Sequence, residues 1–310
     1  LNNPKSDLDS TLAPVTQRLA VIDVGSNSIR LAVGVVEAGR IRVVDEDRVV
    51  TRLGRLVDGR LDQGAAEDSL AAVRNLIDRA GDADLRLIAT ASIRDAKDGQ
   101  AFIDQLERHV DVLTPKREAE LALRSAAEHH ELAGRCGIID IGGGSTEIII
   151  AVDGVTESMH LLPLGVVRLT QSLSLANAAS DSVLRELQHV IQQELGSVTA
   201  VETAIGTGGA FTALAALVLG EPEADLHATH RLQGFAIASD DVRRLLKELA
   251  ASDAPERAAG GEITIHRAEI LLAGAALADS VLEALGVDSV TVHEPGIRLG
   301  LLAEMVDASC

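Results

Sequence analysis

An eleven-residue pattern occurs twice in this chain. Val21-Ile22-Asp23-Val24-Gly25-Ser26-Asn27-Ser28-Ile29-Arg30-Leu31 returns as Ile138-Ile139-Asp140-Ile141-Gly142-Gly143-Gly144-Ser145-Thr146-Glu147-Ile148, with Asp140 standing 117 positions after Asp23. Each copy is an apolar run ending in Asp, then a turn of Gly, Ser, Asn or Thr, then a second β-branched run. Val and Ile fit a pleated surface and Gly supplies backbone angles that other residues resist, so each copy predicts strand, tight turn, strand. Such a turn aims backbone N–H groups and hydroxyls at one point, and its short side chains let an anion come close. Two facing copies can hold a phosphate chain between them. Taken singly, a glycine-rich turn is an ordinary hairpin and its Asp a cap on its own backbone; the matched pair is what favours anion binding.

The segments around the repeat share a plan. Leu19–Val24, Ile29–Val36 and Ile41–Arg48 read as an antiparallel meander, followed by a helix at Asp68–Ala80 with Leu70, Val73, Leu76 and Ile77 on one face. Next come strand Leu85–Ala89, loop Thr90–Gly99, helix Ala101–His109, strand Val110–Thr114 and a helix from Lys116 to Leu132. The second copy runs through two strands, a third around Met159–Pro163, a helix at Ser180–Leu195, strand Thr199–Ile205, and a turn Gly206–Gly209 into an Ala/Leu helix. Helices Ser239–Ala251 and His266–Leu285, strand Ser289–Val292 and a helix after Gly296 close the chain. The expectation is a duplicated α/β fold with a cleft between its halves: residues 18–125, residues 126–295, and a closing helix 296–310 packing back on the first half. The polar stretch 1–17 reads as a disordered lead-in without the apolar run of a signal peptide.

Composition narrows the partners. With 28 basic against 47 acidic residues the net charge is −19, which disfavours a nucleic-acid polymer, since nonspecific binding there depends on Lys/Arg surfaces. No Trp, no Tyr and three Phe leave almost no platform for stacked bases. A polyphosphate remains open because a local arginine cluster acts inside a Debye length of about 8 Å. No apolar run approaches the roughly 20 residues of a membrane span. Cys136 and Cys310 are the only cysteines, which fits a reducing compartment, and a cytoplasmic location is expected. A homodimer is the base-rate expectation.

Hydrolysis of a phosphoanhydride passes through a loose transition state, so the protein contributes mainly by positioning phosphates and balancing their charge. Asp140 and Glu147 flank the second turn, where carboxylates suit Mg²⁺ (or Mn²⁺) with waters retained, and Asp23 holds the matching place in the first. The three are read as metal- or water-positioning residues. Gly25, Ser26, Asn27 and Ser28 in one turn, and Gly142, Gly143, Gly144, Ser145 and Thr146 in the other, are the expected phosphate grips. Gly208 and Gly209, at the start of a helix, read as a third anion site or as a packing turn.

Five stretches carry a family resemblance: Ile22–Ser28, Ala89–Ala96, Asp140–Glu147, Leu162–Thr170 and Gly206–Gly209. Through them the chain resembles the exopolyphosphatase/guanosine pentaphosphate phosphatase (Ppx/GppA) family, in its short two-domain form. The resemblance implies duplicated ribonuclease H-like domains of the actin/sugar kinase/heat-shock ATPase superfamily. It implies release of terminal phosphate from inorganic polyphosphate, or from guanosine pentaphosphate, with a preference for shorter chains. The scarcity of aromatics favours polyphosphate.

The resemblance also implies that Glu118, 22 residues before Asp140, orients the attacking water, and that Arg94 binds phosphate. Arg168, Arg30 and Arg267 are further phosphate-binding candidates. By itself Glu118 reads as a solvated residue of an amphipathic helix, and Arg94 as a salt-bridge partner of Asp95 or Asp98. Relatives read Ser-Gly-x-Glu-Glu-Ala where this chain has Thr114-Pro115-Lys116-Arg117-Glu118-Ala119. That altered lead-in keeps open a non-catalytic phosphate or alarmone sensor, and the superfamily an ATP-dependent kinase. The pairs His129-His130 and His227/His230 lack a metal-ligand set and read as surface or packing residues.

Overall fold

A computed structural model describes residues 17–308. The lead-in expected over 1–17 therefore lies outside the described residues except for Gln17, whose carbonyl accepts from the Val36 amide, and Cys310 lies outside them too.

The first lobe opens with β1 (Arg18–Val24), β2 (Ser28–Glu37) and β3 (Arg40–Val50), then the small hairpin β4 (Leu56–Val57) and β5 (Arg60–Leu61). It continues through α1 (Gln63–Ala80), β6 (Asp84–Ala89), α2 (Ala91–Asp95), α3 (Gly99–Asp104) and β7 (Asp111–Val112) to α4 (Pro115–His129). The second lobe holds β8 (Arg135–Ile141), β9 (Thr146–Val152), β10 (Val155–Leu162), α5 (Val166–Leu173), α6 (Asp181–Leu195), β11 (Thr203–Thr207), α7 (Gly209–Leu219), α8 (Glu223–Ala228) and β12 (Ala236–Ala238). It ends with α9 (Ser239–Ala250), α10 (Ala254–Ala258), α11 (Ile265–Leu285), β13 (Ser289–His293) and α12 (Ile297–Asp307).

The sheets are ordered β3-β2-β1-β6-β7 and β10-β9-β8-β11-β13-β12. Apart from β12 at the edge, the second order repeats the first. In each, the second strand pairs antiparallel with the first and the fourth pairs parallel with it, so the fold is α/β, duplicated and actin-like. The first strand of each copy is buried along nearly its whole length because it is flanked on both sides, whereas β3 alternates half-buried and exposed residues as an edge strand does.

The lobes share a middle layer. α4 packs on β8, β9 and β10 of the second sheet, α12 packs on β1, β2 and β3 of the first, and the two helices pack on each other. One core accordingly unites Leu19, Val21 and Ile88 with Ala119, Leu121 and Ala122 of α4, Ile138 and Ile149, and Leu302 and Met305 of α12. The helices touch so closely that a Cβ on Gly300 would lie 2.1 Å from the Leu121 carbonyl oxygen. The boundary read at 125/126 falls inside α4, a helix whose own packing joins it to the second sheet.

Several local expectations change. The stretch 90–99 is not a plain loop: the Thr90 carbonyl accepts from Ile93 and Arg94, starting α2, whose five residues are too few to show a period. α1 begins at Gln63, with the Asp62 side chain capping the Ala65 amide, five residues ahead of the expected start at Asp68. The helix expected at Ala101–His109 is the shorter Gly99–Asp104. α5, α8 and α10 were not expected. Among the described residues no helix is long and apolar enough to cross a membrane.

Candidate active site

The repeat closes as two equivalent turns. The Gly25 amide donates to the Ser28 carbonyl at 3.2 Å and the Gly142 amide to that of Ser145 at 3.0 Å. A Cβ on either glycine would stand 3.0 Å from the acceptor oxygen of its own turn. The turns abut: a Cβ on Gly143 would meet Ser26 Cβ at 2.7 Å, and one on Gly144 would meet Ala91 Cβ at 2.5 Å. Gly165, which starts α5, comes equally close to the Gly143 backbone. Glycine is needed here for approach.

Beyond the turns the copies differ in charge. Register pairs Asp23 with Arg30 in the first copy and Asp140 with Glu147 in the second. Cross-strand partners share a face, so one turn carries a carboxylate beside a guanidinium and the other carries two carboxylates. Gly208 joins them at φ +93°, where a Cβ would strike the Ile141 carbonyl oxygen at 2.5 Å and Asp140 Oδ1 at 3.0 Å; that is why the start of α7 can lie against Asp140.

A pocket of about 100 Å³ lies between the turns, lined by Asp23, Gly25–Ser28, Arg30, Thr90, Glu118, Asp140, Gly142, Gly143, Glu147, Gly208, Gly209, Arg267 and Arg298, among others. Gly144, Ser145 and Thr146, read as grips, are not on its wall; Gly144 serves the turn-to-turn contact and the Thr146 hydroxyl donates to the Leu164 carbonyl at 2.7 Å. Arg94 and Arg168 are also absent from the wall. Arg168 points outward, bonding the Pro163 carbonyl at 3.2 Å and pairing with Asp95.

Arg94 stands behind Glu118. Its Nη1 donates to Glu118 Oε1 at 2.5 Å and to the Leu113 carbonyl at 2.6 Å, and its Nε lies 3.6 Å from Asp95. The Thr-Pro-Lys-Arg lead-in makes a sound helix start: Thr114 Oγ1 accepts from the Arg117 amide, Pro115 takes a first-turn position, and the Glu118 amide bonds back to the Thr114 carbonyl. Glu118 is thereby 7% exposed and faces the pocket, not solvent.

Burial dominates the electrostatics. It pushes Glu118 up to about 7 against the pull of Arg94, with Asp140 and Asp23 adding to the rise. Burial likewise lifts Asp140 to about 6, opposed by Arg30, and raises Asp23. Glu147 lies well above the ordinary carboxylate range through burial and the charges of Glu118 and Asp140. On the opposite side, burial and then Arg298, Arg48 and Arg267 bring Arg30 down to about 9. Arg267 is committed: its Nη2 and Nε donate to Glu223 at 3.2 and 3.4 Å, and its guanidinium lies over Gly209. Glu223 also accepts from Thr212 and, despite its burial, is held well below the usual range by Arg267, His227 and Arg48.

Among the described residues no group of three or more Asp, Glu, His or Cys side chains is placed to hold a metal ion. Mg²⁺ commonly takes only one or two carboxylates and fills its sphere with water and phosphate oxygens, so the decisive observation is that Glu147 Oε1 and Asp23 Oδ1 are buried without a hydrogen-bond partner. The protein leaves those two acceptors open. The histidines are engaged: His293 bonds Ser125 Oγ at 2.7 Å and His130 at 3.3 Å as packing groups, and His227 pairs with Glu294 and Glu223. Sequence reasoning passed over Arg298 and Arg48. Arg298 follows a strand and a positive-φ glycine, Gly296, a helix start like that of Gly208; Arg48 is visible only once the β2–β3 register is known.

Residues 32–309 match the Ppx/GppA phosphatase family. The chain is 26% identical to a Mycobacterium tuberculosis protein named Exopolyphosphatase 1 over 94% of this chain and 89% of that one. It is 24% identical to the guanosine-5′-triphosphate,3′-diphosphate pyrophosphatase of Vibrio campbellii over 93% of this chain and 59% of that longer protein. The crystal structure of the Aquifex aeolicus Ppx/GppA family member superposes with a TM-score of 0.78 at 26% identity, covering 94% of this chain and 98% of its own. With its paired turns, shared middle helices and buried carboxylates in place, the chain belongs to the Ppx/GppA phosphatase family.

Proposed function

We propose that the protein is a phosphoanhydride hydrolase that releases terminal orthophosphate from inorganic polyphosphate. The observation that carries this reading is Glu118: a buried carboxylate held by Arg94 at the first turn of α4, on the wall of a pocket that both Gly-Ser turns also line. The amides of Ser26, Asn27 and Gly143 grip the end of the chain, and Arg30 and Arg298 balance its charge. Glu118 accepts a proton from a water as the water oxygen bonds to the terminal phosphorus; the bridging P–O bond breaks and the shortened chain leaves with the electron pair. Asp140 and Glu147, supported by Asp23, would hold Mg²⁺, which when bound supplies charge neutralisation at the phosphate oxygens. Arg94 orients Glu118 and does not grip substrate.

A guanosine pentaphosphate activity is the second reading, favoured by the likeness to the Vibrio campbellii protein. The reading includes a cytoplasmic location, supported by the free, buried Cys136 thiol. Phosphate release from polyphosphate, guanosine pentaphosphate and ATP, with and without Mg²⁺ and with Glu118→Gln and Glu147→Gln, tests the proposal. Metal-dependent release from polyphosphate that both variants lose is expected. Binding without release by the wild type from any of the three would replace the enzyme with a sensor, and phosphate transfer from ATP to an acceptor would replace it with a kinase.

A further inference from the structure

Arg168 ends a line of four alternating charges that runs from the second lobe to Glu118 in the first. It pairs with Asp95, Asp95 Oδ1 lies 3.6 Å from Arg94 Nε, and Arg94 Nη1 donates to Glu118 Oε1 at 2.5 Å. The four side chains are 42%, 35%, 21% and 8% exposed in that order, so the line passes from water to the wall of the phosphate pocket. We propose that Arg168 is a positioning residue for the hydrolysis: by holding the Asp95 carboxylate it leaves the Arg94 guanidinium to Glu118. The proposal rests on the reading of Glu118 as the group that activates water.

The contacts along the line are unequal. A guanidinium is planar and its donors are fixed relative to one another, and Arg94 divides them: Nη1 serves Glu118 and, at 2.6 Å, the Leu113 carbonyl, while Nε faces Asp95. At 3.6 Å that last contact is an ion pair without a hydrogen bond. Asp95 gives its other oxygen, Oδ2, to Arg168, and among the described residues no third cation pairs with it. Without Arg168 the carboxylate is left with Arg94 alone. Carboxylates take an arginine fork bidentately, and a guanidinium turned that way is turned from Glu118.

Arg168 belongs to the opposite lobe and is placed by the turn that grips phosphate. The Val166 and Val167 amides at the start of α5 bond the Gly142 and Gly143 carbonyls at 3.0 and 2.9 Å, and Arg168 Nη1 donates to the Pro163 carbonyl at 3.2 Å. One turn on, Gln171 Nε2 bonds the Leu56 carbonyl of the first lobe at 3.0 Å. That bond ties the lobes without a charge, which makes Gln171 the control.

Polyphosphate hydrolysis by Arg168→Gln at pH 7 and saturating Mg²⁺ tests the proposal. The expected result is a roughly fivefold fall in kcat with KM within about twofold of wild type, the upper scale of one partly exposed ion pair. Gln171→Leu should keep kcat within about twofold, and adding Asp95→Asn to Arg168→Gln should restore kcat to the same margin, because the amide no longer competes for Arg94. A loss that survives Asp95→Asn, or that Gln171→Leu reproduces, would mean that Arg168 only ties the lobes. A raised KM at unchanged kcat would return it to phosphate binding, and no loss would leave it without a role; each of these overturns the proposal. If the wild type releases no phosphate, the hydrolase reading fails by itself, and a crystal structure of Arg168→Gln decides. Arg94 drawn from Glu118 to Asp95 sustains the proposal, and an unmoved Arg94 overturns it.

Discussion

Replacing Arg94 with Ala separates two roles that a single-pH assay would confuse. The Arg94 guanidinium sits 2.5 Å from Glu118 Oε1, and the two side chains are 21% and 8% exposed. At an effective dielectric constant of about 20, unit charges 4 Å apart interact by about 4 kcal/mol, an upper bound that water entering the vacated space reduces. A nearby opposite charge typically shifts a carboxyl by 1–3 units, so Arg94→Ala should lift Glu118 from about 7 by about 1.5 units. Because the base must be ionised to take a proton, activity lies above its pKa and is lost as pH falls through it. At pH 7 the ionised fraction drops from about one half to a few per cent, which predicts a roughly 15-fold loss of kcat/KM, largely recovered near pH 9.5. The assay is the pH profile of kcat/KM at saturating Mg²⁺ for both proteins. A uniform loss at every pH, with KM raised and the ascending limb unmoved, would show that Arg94 grips phosphate and would refute the assignment.

Two stability predictions follow from the middle layer. Gly300→Ala places a Cβ against the Leu121 carbonyl oxygen and should destabilise by about 1–3 kcal/mol, a fall of several degrees in Tm; an unchanged Tm would mean that α4 and α12 are not so closely packed. His293 is fully buried and held down to about 3 by burial and by His130 and His129. The unfolded chain takes up that proton near pH 6.5 and the folded one does not. Folded-state stability is therefore complete above about 6.5 and declines as pH falls toward 3. Urea midpoints measured from pH 7 to pH 4 should fall more steeply for the wild type than for His293→Gln, and parallel slopes would contradict the assignment.

The strand pairs and turns were legible because their signals are local: β-branched runs, an Asp, and glycines written twice. The duplication of the sheet also followed, since a repeated plan of elements builds a repeated sheet, while the order of its strands came from the structure. The ranking of arginines did not follow. Arg94 lies at the foot of a five-residue helix and meets Glu118 across a gap of 24 positions, while Arg298 arrives from the far end of the chain on a helix that crosses to the first sheet. The glycines were legible as a cradle, yet Gly144 serves to let the second turn touch Ala91, a contact that no motif spacing encodes. The charge swap between Arg30 and Glu147 was in plain view in the repeat. Its meaning required the register that sets each opposite its Asp.

Binding and turnover of polyphosphate by Glu118→Gln, measured together, test most directly whether the pocket hydrolyses what its turns hold. The substitution removes the base and keeps the side-chain shape, so the calorimetric Kd should stay within about threefold of wild type while phosphate release falls by 10²-fold or more. Release within tenfold of wild type, or a loss of binding that accounts for the loss of turnover, would contradict the assignment of Glu118 as the group that activates water.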